Sequence, residues 1–416
     1  MPYLDLAWLS IAALVLAVAV SCTTAVNVGL LALSMAWLVG VYLGGMSLDA
    51  VLEGFPVSLF VTLVGVTLLF SVADCNGTLA RVTAAAVRIC RGRPGLLPIM
   101  FFGLGLAVAT IGSGGTPASA LLAPPAMAVA GAAGIPPLLM AVMTGNGALA
   151  GTLSPFAPGG LVANGIMSRI GLGGLEWHTY GYNVLAHAAV GIGGFVVLGG
   201  LRLFTRPPVR VDEAARPAEP MERRHWLTVG GIAVLIAGVT GFGMHVGMTA
   251  LAIAVVLTLL RAVDERQAIQ RMPWGVILMV SGVTVLVSMM ERSQGMQLFT
   301  SGLARVSNAE SIVPMVAFGT GLISVYSSTS GVVMPAFLPM APELAARVAG
   351  LEPVQIAWSI TVGAGLVDLS SLSTVGALFL AAAPPGTDTR RLFNGLLAWG
   401  LSMTVVGAAL CWILFA

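Results

Sequence analysis

Charges are so sparse in this chain that they act as punctuation. From Pro94 to Ser168 it runs 75 residues without an Asp, Glu, Lys or Arg, and from Ser311 to Pro342 it runs 32. Shorter charge-free intervals cover Leu6–Leu48, Gly54–Ala73, Trp177–Leu201, His225–Leu260, Met272–Met290 and Leu392–Ala416. Only 9% of the 416 residues are charged and 57% are hydrophobic, against about 25% charged in an ordinary soluble domain. A soluble protein of this size could not coat itself with so few charges. The reading is an all-α polytopic membrane protein, which excludes a large soluble domain. With no basic stripe, nucleic acid is excluded as a partner.

A spanning helix needs about 20 apolar residues. Leu6–Leu48 fits two spans broken near Ser21–Asn27, and His225–Leu260 fits two broken at Gly241–Gly247. The N-terminal MPYLD lacks the basic run of a signal peptide, so the first apolar stretch is expected to stay as a helix. The two longest intervals differ from the rest in being rich in Gly, Ser, Thr and Pro. A segment such as Gly112-Ser113-Gly114-Gly115-Thr116-Pro117 cannot face lipid, because irregular backbone at membrane depth survives only against protein or a water-filled cavity. Each is read as a re-entrant helical hairpin with its tip near the midplane. A broken helix follows the first at Leu153–Gly160, and Glu352–Asp388 carries a long span with one acid inside it, Asp368.

The halves repeat. Gly65-Val66-Thr67 matches Gly282-Val283-Thr284 at an offset of 217, Gly112–Ala126 aligns with Ser327–Ala341, and Leu153-Ser154 with Leu369-Ser370. All 19 basic residues are Arg. If Arg81, Arg88, Arg91 and Arg93 face the cytoplasm, the positive-inside rule puts 15 of the 19 Arg on that side, with both termini external. The hairpins then enter from opposite faces, giving an inverted repeat with two re-entrant hairpins and two broken transmembrane helices, a pattern of secondary transporters. The expected parts are 1–93, first-half scaffold spans and interfacial helix; 94–203, first hairpin, broken helix and following span; 204–224, a cytoplasmic linker; 225–310, the second scaffold; and 311–416, the second hairpin, broken helix and last span. Thr78–Arg91 and Met296–Arg305 read as interfacial amphipathic helices.

Broken helices expose N–H groups and a positive dipole end, which suit an anion, and freed carbonyls and hydroxyls, which suit a small cation. The candidate substrate-binding residues are Ser113, Gly114, Gly115, Thr116, Ser154 and Pro155 in the first half. Thr329, Ser330, Gly331, Ser371, Ser373 and Thr374 are their counterparts in the second, with Ser327 beside them. Cation or proton coupling is assigned to Asp368, Asn146, Thr152, Ser328 and Ser370. Asp368 is the one acid the topology buries, and intramembrane carboxylates are usually functional. His187 and His245 read as packed or interfacial, Asp74 and Glu291 as solvated helix ends, and Trp274, Trp358, Trp399 and Trp412 as aromatic belts. The four scattered cysteines form no metal spacing.

The order of spans, hairpin, broken helix and repetition resembles the ion transporter superfamily, with its divalent anion:sodium symporter fold. Gly44-Gly45-Met46-Ser47, Val51-Leu52-Glu53-Gly54-Phe55-Pro56, Gly65–Phe70, Asn76-Gly77-Thr78, Leu122-Ala123-Pro124 and Pro137-Leu138-Leu139-Met140 are similar to the N-terminal half of the malonate/dicarboxylate carrier family. The resemblance implies a homodimer and an elevator mechanism in the bacterial inner membrane. Each hairpin tip of the symporters reads Ser-Asn-Thr, whereas this chain has Gly114-Gly115-Thr116 and Thr329-Ser330-Gly331. Sodium and proton coupling both stay open.

The expected function is secondary active transport of a small organic anion, a C3–C4 dicarboxylate such as malonate or succinate, with sodium or protons as coupling ion and no other cofactor. The alternatives are a cation/proton antiporter or inorganic oxyanion transporter on the same fold. An intramembrane serine hydrolase using Ser113 and His187 ranks lower, because the full nucleophile motif is missing, and the chain is read as not an enzyme.

Overall fold

The computed structural model describes the chain apart from residues 1, 24–25, 79–80, 82–92, 208–219, 306–307, 309, 326–327, 349 and 385. The described residues are helical, with no strand among them. The first half contains α1 (Pro2–Thr23), α2 (Val28–Trp37), α3 (Leu48–Leu52), α4 (Val57–Cys75), α5 (Leu97–Val108), α6 (Gly115–Ala132), α7 (Pro137–Ala150), α8 (Pro158–Arg169) and α9 (Glu176–Val197). The second contains α10 (Arg223–Phe242), α11 (Val246–Leu259), α12 (Glu265–Arg271), α13 (Trp274–Arg292), α14 (Gly295–Arg305), α15 (Ile312–Ser324), α16 (Met334–Phe337), α17 (Ala341–Arg347), α18 (Pro353–Gly365), α19 (Thr374–Ala381) and α20 (Thr389–Phe415). Four of these, α4, α9, α13 and α20, have the length and apolarity to cross a membrane unaided.

Local sequence explains where the helices start. Asn27 and His245 hold equivalent places before α2 and α11, and each side chain accepts a backbone N–H of the first turn, from Gly29 and Met248. That satisfies one of the orphan donors of a helix start. Pro56 and Pro273 stand in equivalent places before α4 and α13. The break expected at Gly241–Gly247 falls between α10 and α11.

Packing across the halves follows the same register. α11 packs on α4, and α13 packs on α2. A Cβ on Gly65 would stand 2.1 Å from the Gly247 carbonyl oxygen, and one on Gly282 would stand 1.9 Å from that of Gly29. Glycine is what lets these backbones touch, and the two contacts occupy equivalent places in the repeat. A second crosswise pairing sets α19 of one half against α6 of the other, and α16 against α8.

Both long Gly/Ser/Pro intervals are interrupted by a turn. The first runs from α5 through a wide π-helical turn, Ala109–Ser113, into α6. Gly112 and Gly114 make that turn possible with φ of 128° and 79°, a region L side chains rarely enter. The second bends by 118° between α15 and the segment Thr329–Arg347. The two return arms differ in continuity. Pro124 and Pro125 lie inside an unbroken α6, but Pro335, Pro339 and Pro342 divide the second arm into α16, a 3-10 turn at Leu338–Met340, and α17, since each ring removes a helical donor.

The aromatic-belt reading needs correction at two positions. Trp358 donates its indole N–H to Thr179 Oγ1 at 3.0 Å and packs with Tyr182 at 4.6 Å, an interior contact between α18 and α9. Trp399 lies against Gly194 of α9. Trp274 and Trp412 are the more exposed pair. The second amphipathic segment forms α14; most of its first-half counterpart, Thr78–Arg91, and most of the 204–224 linker lie outside the described residues.

Candidate functional site

Helix breaks, rather than helix faces, make the site. A cavity of about 780 Å³ lies where the two hairpin tips meet the two broken helices. Four helical segments begin on its wall: α6 at Gly115, α8 at Pro158, the π-helical turn Thr329–Val333, and α19 at Thr374. The first turn of a helix leaves backbone N–H groups without intrahelical partners, and its dipole adds positive character there. No side chain caps α6 or α8. α6 offers the N–H groups of Gly115 and Thr116, while α8 offers that of Gly159, since Pro158 has none and Gly160 donates to Thr152 O at 2.9 Å. At the other two, Ser328 and Ser373 accept from the N–H of Gly331 and Gly376 and leave the preceding donors to the cavity.

The broken helices hold their tips by one repeated contact. A Cβ on Gly160 would stand 1.9 Å from Ser154 O, and one on Gly376 would stand 2.0 Å from Ser370 O. Both turns thus fold tightly under the start of the following helix. Ser154 donates to Thr110 O at 2.6 Å, which ties the first broken helix to the first hairpin. Ser373 donates to the carbonyls of Asp368 and Ser370 within its own turn.

Asp368 sits in the second break and lines the cavity. Its Oδ1 accepts from Thr329 Oγ1 at 2.7 Å and from Ser324 Oγ at 3.1 Å. Thr329 Oγ1 also lies 3.2 Å from Ala364 O and within hydrogen-bond reach of Ser324. The second hairpin is therefore laced to the second broken helix through a carboxylate. Thr152 holds the equivalent position in the first half and presents a hydroxyl to the same cavity. Among the described residues no group of three His, Cys, Asp or Glu could hold a metal ion.

Of the residues singled out from sequence, Ser113, Gly114, Gly115, Thr116, Thr152, Ser328, Thr329, Ser330, Asp368, Ser373 and Thr374 line the cavity. Ser154, Pro155, Gly331, Ser370, Ser371 and Asn146 do not. Ser154 and Ser370 turn inward to stabilise the breaks, and Gly331 packs against Met279. Asn146 lies behind the wall, bonded to His187 and Val142 O. Ser327 lies outside the described residues.

The wall also includes residues that the sequence reading did not assign to it. Asp74, a solvated helix end as expected, lines the cavity and pairs with Arg271 at 3.2 Å. That arginine reaches the wall because α12 packs against α4. A second exposed pair, Glu53 with Arg292 at 2.9 Å, does not line the cavity. Asn183 and His187 reach it from α9, and Thr67 and Ser71 from α4. Both pairs show i, i+4 spacing of polar residues in an apolar helix, the signal that would have found them. His245, by contrast, is an exposed helix cap.

Residues 4–152 match the family described as "Dicarboxylate carrier protein MatC N-terminus". No curated protein matches the chain. Among solved structures, the crystal structure of the YdaH transporter from Alcanivorax borkumensis, described as revealing an unusual topology, aligns over 99% of this chain and 98% of its own. The TM-score is 0.62 and the identity 16%. At that identity the likeness is one of fold. The chain is a multi-pass membrane protein with a transporter's fold.

Proposed function

We propose that the chain is a secondary carrier of a small organic dianion, a C3–C4 dicarboxylate, working by alternating access. The observation that carries this reading is the convergence of four helix starts on one cavity. Donors of this kind hold carboxylates without buried side-chain cations, and the arginine on the wall, Arg271, stands at the mouth. Each carboxylate of a short dianion can meet the tip of one half. The family described over residues 4–152 points to the same substrate class.

Alternation follows from the repeat. The exposed pair Asp74 and Arg271 lines the cavity, and the exposed pair Glu53 and Arg292 does not. The arginine distribution puts the Asp74 side in the cytoplasm, so the conformation is inward-facing. The hairpins, broken helices and their following spans form the moving part. The crossed pairs α4–α11 and α2–α13 belong to the scaffold of a homodimer. Asp368 is the coupling residue, taking sodium with the hydroxyls of Thr329 and Ser328, or a proton. A carboxylate in this place also supports a second reading, cation/proton antiport, which needs no organic anion.

The test is uptake of labelled malonate and succinate into proteoliposomes under imposed sodium or proton gradients. Saturable, gradient-dependent uptake is expected, and Asp368→Asn should abolish the gradient dependence. Failure of intact protein to move or exchange any short dicarboxylate would refute the carrier reading. Gradient-driven uptake unchanged in Asp368→Asn would remove that residue from coupling.

A further inference from the structure

The cavity wall is not chemically uniform, and one part of it offers lone pairs instead of N–H groups. Asn183 and His187 stand one turn apart on α9, and each is only 1% exposed. The Asn183 carboxamide nitrogen donates to Leu149 O at 3.0 Å and to Ala150 O at 2.9 Å, the last carbonyls of α7. Those carbonyls can only accept, so Asn183 Oδ1 is left as an acceptor. Asn146 donates through its nitrogen to Val142 O at 2.9 Å, which makes its own Oδ1 the acceptor toward His187 Nδ1 at 3.0 Å. The neutral imidazole then carries its proton on Nδ1 and keeps a lone pair on Nε2.

Both free acceptors converge on one spot. Asn183 Oδ1 and His187 Nε2 each come within 3.6 Å of the point where a Cβ on Gly365 would stand. Gly365, Asn183 and His187 all line the cavity. Among the described residues no protein group donates a hydrogen bond to either atom. A carboxylate brought to this spot would meet lone pairs and be repelled. An ion would give up its hydration for two neutral ligands, at high cost. A neutral O–H group can donate its one hydrogen to either acceptor at little cost.

We propose that Asn183 Oδ1 and His187 Nε2 form a subsite for a hydroxyl group on the carbon chain of the transported dicarboxylate, in the space that Gly365 leaves open. This rests on the carrier reading and narrows it to hydroxylated dicarboxylates. A site built to hydrogen-bond a hydroxyl discriminates against the analogue lacking it, because its buried acceptors then go unpaired.

The experiment is inhibition of labelled-succinate exchange in proteoliposomes by two matched pairs: succinate against 2-hydroxysuccinate, and malonate against 2-hydroxymalonate. The hydroxylated member should inhibit about tenfold or more better in each pair. The ratio should fall in His187→Leu, which removes one of the two acceptors, and reach near one in the double variant His187→Leu/Asn183→Leu. It should also fall in Gly365→Ala, whose Cβ enters the spot at ordinary contact distance and leaves the packing intact. Exchange of the unsubstituted acids with no hydroxyl preference would overturn this inference alone, as would a preference that survives in these variants. Absence of binding by all four acids would overturn the carrier reading and this inference with it.

Discussion

The closest backbone contacts between the halves can be tested one methyl group at a time. A Cβ at Gly282 would stand 1.9 Å from the Gly29 carbonyl oxygen, and one at Gly65 would stand 2.1 Å from that of Gly247. Comfortable non-bonded contact is about 3.5 Å, so each alanine overlaps backbone by well over an ångström. No rotamer change relieves it, because the obstructing atom is main chain. The helices must separate along α2–α13 or α4–α11, where packing is otherwise continuous. Overpacking costs about 1–3 kcal/mol and occasionally more, and this backbone overlap belongs at the upper end. Against it stands the gain of about 0.5–1 kcal/mol for replacing a mid-helix glycine by alanine. Gly103 and Gly193 supply that reference, since a Cβ at either meets nothing within 4 Å. Thermal unfolding of the purified protein in one detergent should therefore show Gly65→Ala and Gly282→Ala both lowered by several degrees. Gly103→Ala and Gly193→Ala should be unchanged or raised. If all four melt together, the close crossings do not hold the fold, and the paired-contact argument for the repeat fails.

Further predictions concern the cavity. Thr329→Val keeps the shape but removes the hydroxyl 2.7 Å from Asp368 Oδ1; a hydrogen bond to a charged group contributes about 1.5–3 kcal/mol, so transport should fall by on the order of 10- to 100-fold, while Thr329→Ser stays within a few-fold of the parent in the same uptake assay. A Cβ at Gly115 would stand 2.3 Å from Thr152 Oγ1, so Gly115→Ala should weaken substrate binding, and adding Thr152→Ala should recover part of the loss, a coupling of about 1 kcal/mol or more in a double-mutant cycle. Arg271 and Asp74 are each about half exposed, so the pair should contribute only about 0–1 kcal/mol to stability. Arg271→Gln should then leave the melting curve in place, but weaken apparent affinity for the dianion at low salt more than at high salt.

What the sequence made legible follows from which physical signals are local. The exclusion of charge is local, so the broken spans at Ser21–Asn27 and Gly241–Gly247 and the hairpins at Gly112–Pro117 and Thr329–Gly331 stood out before any coordinates. Repeat register is nearly as legible, because glycine positions are fixed by backbone contact and survive as an offset of 217 between Gly65 and Gly282. Which side of a break faces the cavity is a different matter. Ser154 and Thr152 are two residues apart with similar hydroxyls, yet Thr152 opens to the cavity while Ser154 donates to Thr110 O in another helix. Only the folded turn separates those roles.

The same reasoning explains why the acceptor side of the cavity was missed. His187 in an apolar helix reads as a packed histidine, and in part it is one, since Asn146 holds it from behind. Its other nitrogen gains chemical meaning from Gly365, nearly 180 residues away, whose missing side chain leaves the space beside it. Asp74 is the solvated helix end that the sequence indicated, but only the fold shows that α12 brings Arg271 against it beside the cavity. Matched positions share close backbone contacts while side chains diverge, as where Thr152 holds the place in one half that Asp368 holds in the other. A cavity built this way is symmetric in its helix starts and asymmetric in its side chains. The shared N–H groups suit the two like ends of a dicarboxylate, and the divergent residues are where coupling and selectivity can be written into one half alone.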